Sequence, residues 1–119
     1  MTYKREYKDY INDIYDAINK IQKFTKDMNF EEFTSDDKTV YAVIRCFEII
    51  GEATKKLPKN VKFKYTNIPW HEMSGIRDKL IHEYFGANLE VVWKTIIENL
   101  PELMQTIEKI VEDMNQIKD

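Results

Sequence analysis

Apolar residues recur every three or four positions along most of this chain. That is the spacing of one helix face rather than of a strand. Tyr7, Tyr10, Ile11, Ile14, Ile18, Ile21 and Phe24 fall on one stripe. They predict a first helix from Tyr3 to about Asp27, with most charged residues opposite. Val40, Ile44, Phe47 and Ile50 make a second stripe, and Leu103, Ile107, Ile110, Val111 and Met114 a last one. The punctuation between stripes is sparse. Asn29 to Ser35 reads as a break, and Thr34-Ser35-Asp36-Asp37 starts the second helix, with a hydroxyl ahead of acids capping the free amides. Leu57-Pro58-Lys59-Asn60 ends that helix, and Val61 to Asn67 is the longest connector. Pro69 sits near the first turn of a third helix that passes through Trp70, Met73 and Gly75 and closes at Gly86. Asn88 caps a fourth, Leu89 to about Glu98, and Pro101 restarts the helix behind it. The expectation is one all-α domain over residues 1–119, an antiparallel four- or five-helix bundle with short loops.

Composition removes several alternatives. At 119 residues the chain has enough length for one core. No apolar run approaches the roughly 18 residues that span a bilayer. The start, Met1-Thr2-Tyr3-Lys4-Arg5-Glu6, lacks the apolar core of a signal peptide, so a cytoplasmic protein with no membrane contact is expected. Cys46 is the one cysteine and lies in an apolar helix, which predicts a buried, inert thiol. Gly51 falls on the apolar face of the second helix, where glycine costs stability, so a close helix contact is expected there. Glu52 beside it is either a buried partner for Arg77 or a solvated glutamate. The tyrosines Tyr3, Tyr7 and Tyr10 read as core or interface rather than as a stacking platform.

Chemistry concentrates in Ile76-Arg77-Asp78-Lys79-Leu80-Ile81-His82-Glu83-Tyr84-Phe85-Gly86. On a helix Arg77 and His82 stand about 140° apart, Arg77 and Tyr84 are nearly eclipsed, and Asp78 lies one turn before His82. A permanent cation, an imidazole with a carboxylate in reach and a phenol are the parts of a phosphate-handling site. Asp78 would orient His82. No metal site or cofactor is expected. His71 and His82 are too far apart in sequence to pair, and no cysteine or carboxylate array completes a ligand set.

The net charge of −3 argues against indiscriminate coating of nucleic acid. Positive charge nevertheless gathers in the middle. Lys55, Lys56, Lys59, Lys62 and Lys64 interleave with Phe63 and Tyr65, a pattern suited to single-stranded nucleic acid and equally to an ordinary lysine-rich loop. Lys59, Lys62, Lys64 and Lys79 are the candidate RNA contacts. From Gly86 onward acids outnumber lysines.

The chain resembles the HepT-like members of the HEPN superfamily, the toxin halves of two-gene toxin–antitoxin pairs. The likeness runs from Phe47-Glu48-Ile49-Ile50-Gly51-Glu52-Ala53 through Ile68-Pro69-Trp70, Gly75-Ile76-Arg77-Asp78, His82-Glu83-Tyr84-Phe85-Gly86 and Val92-Trp93 to Leu100-Pro101-Glu102-Leu103. It implies a helical protein that dimerises, with higher assembly left open, and that cuts RNA without a metal at a cleft between two copies. The RNA target is left open, with tRNA one candidate. Arg77 and His82 match the catalytic pair and Tyr84 the third motif position. The partner implied is a minimal nucleotidyltransferase antitoxin that adenylylates that tyrosine. The competing reading is a non-catalytic nucleotide- or substrate-binding subunit of a nucleotidyltransferase complex. A third is a purely structural dimerisation module.

Overall fold

The computed structural model describes residues 5–81 and 88–116, and the side chains of Arg77 and Ile81 fall outside that description. All the regular structure among these residues is helical, as the periodicity requires. α1, Tyr7–Thr25, buries Ile11, Ile14, Ala17, Ile18 and Ile21. α3, Asp37–Lys56, buries Val43, Cys46, Phe47, Ile50, Gly51 and Ala53, and α8, Leu100–Gln116, buries Leu100, Met104, Ile107, Ile110 and Met114. α1 packs chiefly on α3 and also on α8, so the three long helices enclose one continuous apolar core. Tyr7 and Tyr10 lie half-buried against it. Cys46 is 5% exposed, and burial pushes its thiol pKa up, as an inert sulfhydryl requires.

The expected break at Asn29 to Ser35 contains a short helix, α2, Phe30–Ser35. The cause is a capping box. The Asn29 side chain accepts from the Glu32 amide at 2.8 Å, and the Glu32 carboxylate accepts from the Asn29 amide at 2.9 Å. Phe33 is fully buried, its ring 5.2 Å from that of Trp93, which holds α2 on the bundle. Thr34 and Ser35 spend their hydroxyls on the Glu31 carbonyl, so neither caps α3. Asp36 does, accepting from the Thr39 amide at 3.1 Å, and that bond lowers the Asp36 pKa.

The third expected helix is broken. α5, Trp70–Ser74, stops at Gly75, and α6, Ile76–Ile81, begins directly after it. α5 and α6 both lie on α3. A methyl group at Gly51 would meet the carbonyl oxygens of Met73 and Ser74 at 3.5 Å and Ile76 Cγ2 at 3.6 Å. The close contact is therefore real, yet those distances still admit a methyl. Gly51→Ala should stabilise the protein by about 0.5–1 kcal/mol through helix propensity. A urea midpoint that falls below wild type would show that α5 cannot tolerate the added group.

Asn88 caps α7, Leu89–Lys94, by accepting from the Val91 amide at 3.2 Å, as expected. The helix does not restart at Pro101. It continues through a π-helical turn, Thr95–Asn99, directly into α8. Pro101 has no N–H to donate, and its ring would crowd the carbonyl four residues earlier in a regular helix. The wider turn just before it, with Leu100 N–H reaching back to the Thr95 carbonyl, absorbs that conflict without a break.

Candidate functional site

α6 carries the motif's first residue, and packing anchors it. Ile76 and Leu80 are buried on the α3 side, which leaves Asp78 and Lys79 exposed. The Asn88 amide donates to the Leu80 carbonyl at 3.0 Å, so the start of α7 is tied to the end of α6. The backbone of Arg77 is helical. His82, Glu83, Tyr84, Phe85 and Gly86 lie outside the described residues, as does the pairing of Asp78 with His82. Glu52 is not a buried partner for Arg77. Its side chain is 63% exposed and sits 3.9 Å from Arg45 Nη1, on the outer face of α3. His71 is on the surface.

The expected connector Val61 to Asn67 is in part a helix, α4, Lys59–Lys64. From Ala53 to His71 the chain holds five lysines and no acidic residue. Lys59 and Lys64 are exposed and Lys62 is half-buried. The aromatics Phe63 and Tyr65 part company. Phe63 is 76% exposed, whereas Tyr65 donates its hydroxyl to Asp113 Oδ2 of α8 at 2.8 Å. Burial and that hydrogen bond push the Tyr65 pKa up to about 12. Tyr65 is thereby a tie between α4 and α8 rather than a stacking surface. Trp70 fixes the other side, its indole N–H donating to the carbonyls of Lys62 at 3.1 Å and Tyr65 at 3.0 Å.

Tyr65→Phe should cost about 1 kcal/mol, the worth of one partly buried hydrogen bond. A phenol whose pKa is higher folded than unfolded lends stability that is complete below its ordinary pKa of 10 and is lost as pH rises towards about 12. Wild type should therefore lose its advantage over Tyr65→Phe between those two values. A constant difference in urea midpoint across that range would disprove the tie.

Sequence reasoning missed a cleft of about 380 Å³ between α5–α6 and the π-helical turn with α8. Lys79 lies on its wall, together with Asn67, Glu72, Asn99 and Glu102. The lining comes from two stretches of chain, 67–79 and 95–106, and no local spacing joins one to the other. Among the described residues no cluster of histidine, cysteine and carboxylate side chains could hold a metal ion, and no helix is long and apolar enough to cross a membrane.

An all-helical core with the motif's first residue on α6 narrows the class of protein, and comparison with known proteins identifies it. Residues 14–110 match the family described as Ribonuclease HepT-like, and the chain belongs to that family. A Methanocaldococcus jannaschii protein assigned as an RNase is 47% identical over 113 residues, covering 95% of this chain and 97% of the relative. A Thermococcus cleftensis protein assigned as ribonuclease HepT is 50% identical over 107 residues, covering 90% of this chain and 97% of its own length. A longer Methanocaldococcus jannaschii protein, assigned as both a gamma-glutamylcyclotransferase and an RNase, matches 98% of this chain with 52% of its length at 39% identity. No solved structure matches the chain.

Proposed function

We propose that this protein is a metal-independent endoribonuclease and the toxin of a type VII toxin–antitoxin pair. The observation that carries the reading is membership of the HepT-like ribonuclease family across residues 14–110, by a chain that keeps Arg77, His82 and Tyr84 in the Arg-x4-His-x-Tyr order. RNA is cut by its own 2′-hydroxyl, which attacks the adjoining phosphorus as the bond to the 5′-oxygen breaks. One imidazole takes the hydroxyl proton, and a second, protonated, gives a proton to the leaving oxygen. The products are a 2′,3′-cyclic phosphate and a free 5′-hydroxyl. A single motif has one histidine, so two copies of the chain, related by a twofold axis, supply the pair. Arg77 stabilises the crowded phosphate, with Lys59, Lys62, Lys64 and Lys79 holding the strand on either side.

Silencing follows from the same chemistry. A nucleotidyltransferase partner transfers AMP from ATP to the Tyr84 oxygen, and pyrophosphate leaves. The bulky anion then occupies and neutralises the phosphate position beside Arg77. Incubating the purified chain with tRNA or messenger RNA in excess chelator tests the reading. Discrete products are expected. Nucleotide or RNA binding without any products would instead favour the non-catalytic subunit of a nucleotidyltransferase complex.

A further inference from the structure

Phe63 is 76% exposed, more than any other large apolar side chain among the described residues. It belongs neither to the core nor to the rings packed against it. A single exposed ring is common on protein surfaces, so its surroundings decide what it means. On α4 the buried contact is Val61, and Phe63 stands about 160° from it around the helix axis. Lys59 lies one turn before Phe63, about 40° away, and Lys62 and Lys64 flank it at about 100° on either side. Lys55 and Lys56, both exposed, precede them in the last turn of α3. The nearest acids in sequence are Glu52 and Glu72, eleven and nine positions off. Asp113 approaches α4 on its buried side, where it shares a small cleft with Val61 and Lys64 and accepts from Tyr65. Among the described residues none of the five lysines makes an ion pair.

The other exposed apolar side chains differ. Phe30 and Ile97 share a cleft with Glu90 and Glu98. Tyr41 has Asp37 one turn before it and Arg45 one turn after, and Phe24 has Asp27 three residues on. Of these five side chains, Phe63 alone projects from a run of lysines without an acid. A ligand for that surface must offer spaced negative charge and a flat face together. An unpaired nucleotide strand does both, since ammoniums meet its phosphates and a base lies on the ring. A duplex keeps the faces of its bases in the stack, which leaves the ring without a partner. A membrane fits less well, because an interfacial helix needs a broad apolar face and Val61, the second apolar residue of α4, is buried. Lysine is depleted at protein interfaces, so a protein partner fits less well too.

We propose that α4 is a docking platform for single-stranded RNA, on which Phe63 stacks one unpaired base while Lys59, Lys62 and Lys64 hold the phosphates beside it. Lys55 and Lys56 add to the attraction. Every base has a π-face, so the platform favours unpaired RNA without reading its sequence. The proposal rests on the ribonuclease reading for its ligand.

Equilibrium binding of 2′-O-methyl hexanucleotides tests it, because these lack the attacking hydroxyl and cannot be cut. Phe63→Ala should weaken binding of the single-stranded adenine hexamer about tenfold, within the range of one stacked base. Phe63→Trp should keep the affinity and Phe63→Leu should not, since leucine has apolar area but no π-face. A blunt RNA duplex should lose less than about twofold in Phe63→Ala. Stacking releases no counterions, so the slope of log affinity against log salt should be the same in Phe63→Ala as in the unaltered protein. Lys59→Gln combined with Lys64→Gln should instead reduce that slope by about 1.4, at about 0.7 for each phosphate contact. Hexamer binding that is absent, or equal in all the Phe63 variants, would overturn the proposal. So would a Phe63-dependent affinity for phosphatidylserine vesicles, or a Phe63-dependent molecular mass in ultracentrifugation, with hexamer binding unmoved. Those results would make the patch a lipid contact or a protein contact. Unmodified RNA in chelator reads cleavage separately. Cutting with binding indifferent to Phe63 sinks the platform alone, and Phe63-dependent binding without cutting sinks the ribonuclease reading alone.

Discussion

His82→Ala should lower RNA cleavage by at least about a thousandfold while leaving the melting temperature of the protein in place. In a twofold-symmetric site this one substitution removes both the group that takes the 2′-hydroxyl proton and the group that protonates the leaving oxygen, each worth about 10²–10⁴ in rate. Arg77→Ala should cost about 10²–10³, because water replaces the guanidinium on the phosphate only poorly. Arg77→Lys should recover little, since an ammonium lacks the planar two-pronged donor. The wild-type rate should rise and then fall with pH, as one imidazole must be neutral and its symmetry mate charged. The measurement is initial cleavage rate on one end-labelled RNA in chelator. Cleavage that survives undiminished in purified His82→Ala would remove the histidine from the chemistry, and cleavage that requires added magnesium would remove the metal-free mechanism.

The largest effect on stability is expected at Phe47. Its ring is 1% exposed, on the α3 face turned to the core that α1 and α8 close. Phe47→Ala should cost about 3–5 kcal/mol, the transfer of the ring plus the cavity it leaves. That is a large share of the roughly 5–15 kcal/mol that holds a domain of this kind folded. Phe47→Leu keeps most of the volume and should cost below about 1.5 kcal/mol. Urea unfolding followed by far-ultraviolet circular dichroism measures both. A loss under about 1 kcal/mol for the alanine variant would mean that the core closes over the gap, and that α3 is held mainly by other contacts.

The helices were legible where the signal is local. The stripes of α1, α3 and α8 are read from apolar residues a turn apart, and the Asn88 cap from one side chain and an amide three residues later. Two further boundaries also have local causes. Asn29 and Glu32 have capping-box spacing and start α2, and Gly75 divides the helix that leads to the motif. The Pro101 case differs. Proline at that position permits either a new helix or a widened turn, and burial of Ile96 and Leu100 on the same core favours unbroken continuation.

The order of apolar and polar residues was sufficient for the all-α class, the buried faces of the long helices and the buried Cys46 thiol, because each depends on neighbours within a turn or two. It was not sufficient for the ends, since α1 starts at Tyr7 rather than Tyr3. Packing alone decided that Glu52 turns outward, that Tyr65 is spent on Asp113, forty-eight positions away, and that Asn67, Glu72, Lys79, Asn99 and Glu102 share one cleft. The physical reason is common to all three. A side chain's partner across the bundle is set by how the helices sit on one another, and local periodicity tells which face is buried but not which neighbour that face will meet.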